Sequence, residues 1–425
     1  MINRYKNQKI SYIWDDQNKF DTWKKVQETY VKTLEEEGIA KPGISEKISS
    51  VSVEAEEVYE REKVTNHDLA SFVDILQNKV GEGSNWIHYG LTSSDVVDTS
   101  NSLLIKESLE VLLKLVDDLL NEIKNRAIEE QNTKIIGRTH GVFAEETFLG
   151  NILGNWYLEI KRNLDRLSTA KENISYGKLS GPVGNYTVVT PEIEDKTLKK
   201  LDLKAEKFAS QIVSRDRYAE VVSAISILAS SYDRIAGNLR SYQRSEISEI
   251  FEPFKEGQKG SSAMPHKKNP IGSERISGLS RIIRGYSVSS LENMVLWNER
   301  DISNSSVERI IIPDSFNIAC FMTTELTSII KNMVINYEQI NKNLKNNINI
   351  LKGRNCYETN INFHKKTFNN KKKFVLMPYF DGDFLIGNKS QQIDREHFAR
   401  HQEVRKKHHT KIQLEKDSVQ ILPNG

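Results

Sequence analysis

Apolar side chains recur every three or four positions through long stretches of the chain. Residues 102–130 carry leucine, isoleucine and valine at such steps from Leu109 to Ile123, which places them on one face of an amphipathic helix of many turns. No alternation of apolar and polar residues is long enough to predict a sheet. The pattern therefore predicts an all-α fold with a central bundle of long helices. Similar helical patterns run through 145–172, 215–250 and 314–346.

Polar, motif-like segments interrupt these helices. We expect them at helix starts and at turns between helices, where backbone N–H groups are unpaired and can hold anions. The segments are 65–68, 88–99, 137–147, 177–184, 260–274 and 297–314.

The chain is long enough for more than one domain. Its 425 residues exceed the size at which a single core stops growing. We divide it into an N-terminal helical domain at 1–111, a central bundle at 112–350 that carries a catalytic loop at 257–274, and a C-terminal region at 351–425.

Composition gives no sign of a nucleic-acid or membrane partner. The 60 lysine and arginine residues nearly balance the 58 aspartate and glutamate residues, so the charge does not indicate nucleic acid. No apolar run of about 18 residues predicts a membrane span, and the N-terminus lacks the apolar stretch of a signal peptide. Two cysteines are too few for a disulfide framework or a zinc site. We expect a cytoplasmic protein with no nucleic-acid or membrane partner.

The histidines indicate proton chemistry. Only four of the nine precede residue 350, namely His67, His88, His140 and His266, and each lies inside a polar motif. Imidazole transfers protons near neutral pH. One such histidine alone is more simply a solvated loop residue, but four in this placement favour function.

The segment "GSSAMPHKKNP" at 260–270 carries the groups that an elimination reaction needs. Removing a proton from carbon beside a carboxylate requires a base, cations that stabilise the resulting dianion, and a separate acid for the leaving group. The serines provide a candidate base, and the lysines and asparagine can bind the carboxylate. A mobile loop would also exclude water.

This segment resembles the GSSxMPxKxN loop of the fumarase/aspartase superfamily. Within that superfamily, the chain resembles the adenylosuccinate lyase family over about residues 1–350. The resemblance is carried, in order, by "RY" at 4–5, "HD" at 67–68, "HYGLTSSDVVDT", "GRTHG", "GQKGSSAMPHKKNPIGSE" and "RDISNSSVERIIIPD".

The resemblance implies three mostly helical domains, with the central helices forming the core of a homotetramer whose active sites are shared between subunits. It implies β-elimination of fumarate from adenylosuccinate, which yields AMP, and from the succinyl-carboxamide ribotide of purine synthesis. The partner is a small nucleotide substrate, and no metal or organic cofactor is implied.

The resemblance also implies catalytic roles. His140 is the expected general acid, oriented by Glu274, and Ser261 is the expected base, with Ser262 as the alternative. A serine hydroxyl is a weak base, so the closed loop must activate it. His67 is expected to assist proton transfer or to position the substrate. His266 is not expected to be catalytic.

Further residues are expected to bind the substrate. Lys267 and Asn269 hold the succinyl carboxylates with Thr92 and Ser93, Asp68 lies beside the leaving group, and the remaining contacts come from His88, Thr139 and Gln211. A guanidinium fork suits phosphate, and the phosphate set is Arg4, Tyr5, Arg300, Ser305 and Arg309.

Some of these residues also have simpler structural interpretations. Thr92 and Ser93 could cap the helix that begins near Asp95. Arg300 and Arg309 lie close in sequence to acidic residues and could form a solvated ion-pair network. Lys267 could be an ordinary loop lysine. Gly81 and Gly83 do not complete a dinucleotide-binding fingerprint.

The chain departs from the family pattern at four motif positions. Phe143 stands where a polar residue is usual and Glu146 where proline is usual, and Asn298 and Asn304 stand where histidine is usual. Asparagine keeps hydrogen-bonding groups but cannot become cationic. If Asn304 lies near the phosphate, binding should be weaker at acid pH than in relatives.

Residues 351–425 lack helical periodicity and hold 15 Lys/Arg against 8 Asp/Glu. We interpret them as a divergent, partly disordered basic region. A nucleic-acid-binding appendage and a shift of reading frame near 351 are the alternatives, and the second would leave the enzyme impaired.

Two alternatives to the main function stay open. The chain could be another fumarate-releasing lyase, namely argininosuccinate lyase or aspartase. It could also be a catalytically impaired helical assembly protein. The N-terminal Arg-Tyr pair and the "RDISNSS" segment favour a nucleotide phosphate over the first alternative.

Overall fold

The computed structural model describes residues 1–254, 257–258, 260–261, 263–264 and 267–346. The chain divides into two units, Met1–Tyr357 and Glu358–Gly425, and the second lies wholly outside the described residues. The interpretation of 351–425 as a divergent basic region therefore concerns residues outside the described part and stays a prediction, as do the domain boundaries.

Helices dominate the described residues, so the predicted all-α class is confirmed. Five helices precede the long polar motif at 88–99, and short 3₁₀ turns lie at Asn3–Tyr5 and Ser84–Trp86. These helices are α1 Gln8–Ile13, α2 Asp16–Glu36, α3 Ile44–Ser50, α4 Ala55–Thr65 and α5 Asp68–Val80. The helices that follow are α6 Ser93–Glu129, α7 Leu149–Ile174, α8 Pro191–Lys200, α9 Arg215–Tyr242, α10 Ile271–Glu292, α11 Ser303–Asn332 and α12 Tyr337–Asn346.

The helical patterns locate these helices well, but their ends differ. The pattern at 314–346 covers two helices, because α11 ends at Asn332 and α12 begins at Tyr337. Pro313 lies inside α11 rather than before it. The Pro313 carbonyl accepts a hydrogen bond from the Asn317 side chain at 3.0 Å.

The helices α6, α7, α9, α10 and α11 pack side by side as a bundle. At one end, the start of α6 meets the start of α9 through Asp98 and Arg215. At the other end, Arg126 near the end of α6 donates to the carbonyl of Met333, just after α11. The N-termini of α6, α9 and α11 therefore lie at one end of the bundle, and the N-termini of α7 and α10 lie at the opposite end.

The first helices enclose a core of their own against the start of α6. The rings of Phe20 and Trp23 on α2 lie 5.2 Å apart, and Trp23 meets Phe72 on α5 edge-on at 5.6 Å. Aromatic side chains of this size contribute much of a core's stabilisation. This packing fixes α2 and α5 beside the motif at 88–99.

The expectation that no sheet forms is wrong, since three short two-stranded sheets occur among the described residues. Strand β1 (Lys134–Thr139) pairs antiparallel with β2 (Val142–Phe148), so the motif at 137–147 lies in a hairpin rather than in a turn between helices. His140 and Gly141 form its two-residue tip, with φ of 56° and 78°, as a type I′ turn requires. Two further pairs join two-residue strands: β3 Tyr176–Gly177 with β4 Lys204–Ala205, and β5 Ile250–Phe251 with β6 Val334–Ile335.

Candidate active site

The motif residues His67 and Asp68 start helix α5. His67 is its N-cap, and its Nδ1 accepts a hydrogen bond from the Ala70 amide at 3.3 Å. Since Nδ1 accepts, the neutral imidazole carries its proton on Nε2, which lies 3.3 Å from the Ser93 Oγ. Asp68 receives a 2.6 Å hydrogen bond from the guanidinium of Arg309. The fold therefore joins three motifs that are far apart in the sequence.

The start of α6 shows that Thr92 does cap a helix. Thr92 is the N-cap and forms a capping box with Asp95, whose carboxylate accepts from the Thr92 amide at 2.8 Å. Ser93 follows as the first residue of the helix, and its hydroxyl faces His67. The unpaired amides of this first turn carry partial positive charge, which favours a bound anion.

Arg300 lies against this helix start. One of its terminal nitrogens donates to the Ser94 Oγ at 3.3 Å and to the Gln211 Oε1 at 3.2 Å. Its Nε is buried and has no hydrogen-bond partner within the described residues. Nothing in the sequence distinguished Ser94 from the adjacent Ser93 as a contact of Arg300. Arg300 is thus a cation beside the helix start with an unused donor.

Among the described residues, the hydrogen-bonded ion pairs near these arginines differ from those that their acidic sequence neighbours suggested. Arg309 contacts Asp68, whereas Glu308 binds the buried Arg215 at 2.9 Å. The Asp301 carboxylate accepts from the amides of Trp297 and Ser303. Ser305 lies half-buried in the first turn of α11. The two guanidiniums therefore lie at the same end of the bundle as the starts of α5 and α6.

His88 completes this group. Its backbone is left-handed, with φ of 63°, and its imidazole is paired with the side chain of Gln27 on α2. Burial, aided by the neighbouring His67, lowers the pKa of His88 to about 4. His88 is therefore neutral at physiological pH. We call this group of residues the α6-start cluster: His67, Asp68, His88, Thr92, Ser93, Gln211, Arg300, Ser305 and Arg309.

His140 and Thr139 lie elsewhere. Both are exposed at the hairpin tip. The hairpin is held close to this tip by Arg138, whose guanidinium binds the buried Glu249 through two hydrogen bonds of 2.8 and 2.9 Å. Phe143 packs beneath the same guanidinium, with 5.1 Å between the ring centre and the guanidinium carbon. The tip thus presents the expected acid on a fixed support.

Two described residues of the loop expected to carry the base, Ser261 and Gly260, have hydrogen-bond partners. The Ser261 Oγ accepts from the amides of Ala263 and Met264 at 3.3 and 3.2 Å. The Asn269 side chain donates to the Gly260 carbonyl at 2.7 Å. The second contact holds Gly260, next to Ser261, close to the start of α10. Lys267 is exposed, and the alternative base, Ser262, lies outside the described residues, as does His266.

The backbone N–H groups that donate to the Ser261 hydroxyl favour its role as a base. Amide N–H groups that point at the hydroxyl oxygen stabilise negative charge on it.

Glu274, expected to orient His140, is exposed in the first turn of α10, and its amide donates to the Pro270 carbonyl. Among the contacts of the described residues, none joins Glu274 to His140.

The N-terminal pair lies along the side of the bundle. The ring of Tyr5 meets Phe321 on α11 edge-on, with 5.1 Å between ring centres. The guanidinium of Arg275 at the start of α10 lies 5.9 Å from the same Phe321 ring. Arg4 is exposed. These residues therefore lie apart from Arg300 and Arg309, with which they were grouped.

Helix length separates the two sets of candidate residues. The 37 residues of α6 span about 55 Å at 1.5 Å per residue. The α6-start cluster lies at one end, and the hairpin follows the other end. Even if β1 folded back along the bundle, its six residues would recover only about 20 Å. His140 therefore cannot reach His67 within one chain. Ser261 is likewise held near the start of α10, at the far end.

The family departures have structural consequences in two places. Asn304 is fully buried, and its amide donates to Glu308 at 3.0 Å. Glu146 pairs with Lys134 across the hairpin at 2.6 Å. Asn298 is exposed in a left-handed turn. The acid-pH effect, which depends on Asn304 lying near the phosphate, stays a prediction.

The motif at 177–184, which the sequence left without a role, provides a buried anchor. The fully buried ammonium of Lys178 pairs with Asp95 and also donates to the Gly181 carbonyl at 3.1 Å. Since Asp95 belongs to the capping box of α6, this pair fixes the helix start on which the cluster is built.

No group of His, Cys, Asp and Glu side chains in the described residues is arranged to hold a metal ion. None of the described helices is both long and apolar enough to cross a membrane. What the cluster offers is two guanidiniums, two imidazoles and a helix N-terminus, which together favour an anionic ligand.

Comparison with known proteins agrees with this chemistry. The family described as lyase matches residues 3–285. The adenylosuccinate lyase of Thermotoga maritima is 45% identical over 348 residues, which cover 81% of this chain and 80% of that protein. The adenylosuccinate lyase of Aquifex aeolicus is 44% identical over 349 residues, again 81% of this chain and 80% of that protein.

The fold is also that of a solved structure. The crystal structure of a fumarate lyase from Mesorhizobium sp. BNC1 matches with a TM-score of 0.73 and 19% identity, covering 81% of this chain and 80% of that chain. At this identity the match supports the helical fold alone.

Proposed function

The chain belongs to the lyase family, and from this premise we propose that it is a carbon–nitrogen lyase that releases fumarate from adenylosuccinate. The same reaction on the succinyl-carboxamide ribotide of purine synthesis would give the carboxamide ribotide and fumarate. The observation that carries the proposal is the identity of 44–45% to proteins named adenylosuccinate lyase over 81% of the chain.

The chemistry is a β-elimination. Ser261 removes a proton from the succinyl carbon next to a carboxylate, and the electron pair moves into that carboxylate. The pair then forms the double bond of fumarate as the carbon–nitrogen bond breaks, and His140 gives a proton to the departing purine amine. The amides of Ala263 and Met264, which donate to the Ser261 Oγ, support the deprotonated form of this weak base.

The remaining residues bind the two ends of the substrate. Lys267 and Asn269, with Thr92 and Ser93, hold the succinyl carboxylates and stabilise the dianion. Arg300 and Arg309 with Ser305 bind the nucleotide phosphate, joined by Arg4 and Tyr5 of a different copy, since these two lie apart from Arg300 and Arg309 in one chain. His67 and Asp68 lie beside the leaving group, and His88, Thr139 and Gln211 make further contacts.

A complete site requires more than one copy of the chain. The distance along α6 keeps His140 and Ser261 away from the α6-start cluster of their own chain. A site that contains all of them must take the cluster from one copy and the hairpin and loop from others. This is the reason to propose a homotetramer with shared sites.

The surface of α10 supports such an assembly. Val288 and Leu291 on this helix are about half exposed, at 59% and 50%, and Val295 just beyond it is 79% exposed. Apolar residues grouped in this way on a bundle surface are typical of contacts between subunits.

A cytoplasmic location stays a prediction from composition.

The decisive experiment mixes the purified full-length protein with adenylosuccinate and follows the loss of its ultraviolet absorbance. Turnover supports the proposal, and turnover of argininosuccinate or release of ammonia from aspartate instead would favour the other lyases. A folded tetramer that acts on none of the three would favour the impaired assembly protein.

His140→Ala and Ser261→Ala test the assigned roles. Each should lower kcat by about a thousandfold or more, with circular dichroism unchanged, because each removes a group that moves a proton in the transition state. A variant that keeps near wild-type activity removes that residue from its role.

A further inference from the structure

Gln27 is a fully buried glutamine on α2, a helix that contributes no residue to the proposed reaction. Both ends of its amide contact His88. The Oε1 accepts from the His88 backbone amide at 3.0 Å, and the Nε2 lies 2.9 Å from the His88 Nδ1. One side chain therefore contacts both the backbone and the ring of a single histidine.

This double contact determines where the His88 ring carries its proton. A backbone N–H can only donate, so the amide atom that faces it must be the oxygen. The NH₂ group of Gln27 then faces Nδ1, and because NH₂ also only donates, Nδ1 must accept. In the neutral ring the proton is therefore on Nε2.

The backbone of His88 is also held firmly. A histidine with φ of 63° lies in the left-handed region, which is unfavourable for residues other than glycine. The next residue is fixed from the same helix, since the Tyr30 hydroxyl donates to the Tyr89 carbonyl at 2.6 Å. Gly90 packs so closely on Val188 that a Cβ there would overlap the valine.

The surroundings of His88 disfavour a positive charge. Burial is the larger cause of its lowered pKa, and His67, at the start of α5, is the second. Within the described residues no protein atom is paired with the His88 Nε2. The ring is therefore a neutral group with one committed acceptor and one available donor.

We propose that Gln27 is a positioning residue that holds His88 as a neutral Nε2–H donor to an oxygen of the anionic substrate. The proposal rests on the proposed function, because it assigns His88 a hydrogen bond to that substrate. His88 donates this bond without transferring its proton. This separates His88 from His140, whose role requires proton transfer.

The direct test measures which nitrogen of the His88 ring carries the proton. Protein labelled with ¹⁵N-histidine is examined without substrate by solid-state NMR, and the His88 signals are assigned by their loss in His88→Asn. We expect a protonated Nε2 and an unprotonated Nδ1 that do not titrate between about pH 5.5 and pH 8, a range above the pKa of about 4. A protonated Nδ1, or titration in this range, overturns the proposal.

Gln27→Glu tests the link to catalysis. Its carboxylate can still accept from the His88 amide, but its second oxygen can only accept from Nδ1. The ring should therefore protonate Nδ1 and titrate nearer neutral pH, and kcat/KM should fall about tenfold or more with a new dependence on pH. Gln27→Met should lose the tautomer preference and the activity without gaining that titration.

Tyr30→Phe is the matched control. It removes a hydrogen bond to the same turn from the same helix but leaves the ring contacts of His88 intact, so the NMR signature should stay and kcat/KM should change little. Equal kinetic losses in Tyr30→Phe and Gln27→Glu would overturn the positioning role. Wild-type protein that does not act on adenylosuccinate overturns the proposed function, whereas a wrong tautomer in an active enzyme overturns this inference alone.

Discussion

At the residue scale, His88 should make stability depend on pH. Its pKa is about 4 in the folded chain, against an ordinary 6.5, so between these values the unfolded chain binds a proton that the folded chain does not. Stability from this group is present above pH 6.5 and is lost as pH falls toward 4. Between about pH 7.5 and pH 5 the loss should be on the order of 2 kcal/mol.

Urea unfolding of the wild-type protein and His88→Asn at the two pH values measures this contribution. The variant lacks the titrating ring, so its free energy of unfolding should fall less on acidification by about that amount. Equal changes in the two proteins would show that His88 is not held neutral.

Gly260 gives a second prediction at this scale. A Cβ on this residue would overlap the backbone carbonyl oxygen of Lys267, so Gly260→Ala must open the loop around Ser261. We expect kcat to fall about a hundredfold, because a displacement of about 1 Å is enough for such a loss. The midpoint of thermal unfolding should change little.

The control for this substitution is Gly278→Ala on α10, where a Cβ meets no atom within 4 Å. It should keep full activity and stabilise the helix slightly. If both glycine variants keep full activity, the close packing of the loop does not matter for the reaction.

Sequence alone identified the loop and histidine motifs but not Gln27. A single glutamine in a helix usually lies on the solvated face. Here it occupies the apolar stripe of α2, one turn from both Trp23 and Tyr30, which are buried. This position of a polar residue inside an apolar stripe could have indicated that Gln27 is buried and has a polar partner. Its partner His88 is 61 residues away, and no local pattern gives that pairing.

At the element scale, the buried ion pair at the start of α6 should be important for stability. Lys178→Met leaves Asp95 buried without its ammonium partner, and we expect a loss of about 3–5 kcal/mol in the free energy of unfolding. Chemical denaturation measures it, and the double variant with Asp95→Asn should recover part of the loss.

Lys106→Met is the comparison for this prediction. Lys106 pairs with Asp202, whose side chain is 94% exposed, so its removal should cost at most about 1 kcal/mol. Similar losses in the two lysine variants would mean that the buried pair does not anchor the helix start.

The hairpin is the element that the sequence did not predict. Its alternation of apolar and polar residues is broken by a bulge between Ile136 and Arg138, where the register shifts. Ile135 and Ile136 are consecutive and both buried. The His140–Gly141 pair was the sequence feature that could have predicted the hairpin, since a two-residue turn of this type needs two residues that accept positive φ.

At the scale of the whole molecule, the proposed organisation of the site depends on the length of α6. The helical periodicity predicted a long helix, and the order of the motifs came from the sequence. Which motifs lie at which end depends on the directions of the packed helices, fixed by contacts such as Asp98–Arg215. The sharing of sites between copies is implied by the resemblance, and the separation along α6 is our reason to propose it.

Mixing inactive variants tests this organisation most directly. His67→Ala and His140→Ala, each nearly inactive, are unfolded and refolded together, and mixed oligomers are verified by native mass spectrometry. If one copy supplies His67 and another supplies His140, random assembly leaves both intact in about a quarter of the sites, so up to about a quarter of wild-type activity should return.

The matched control mixes His67→Ala with Arg309→Ala. Both residues belong to the α6-start cluster of one chain, where Asp68 joins them, so this mixture should stay inactive. Recovery in the first mixture and not in the second is the predicted result. Verified mixed oligomers of His67→Ala and His140→Ala that regain no activity would contradict a site shared between chains.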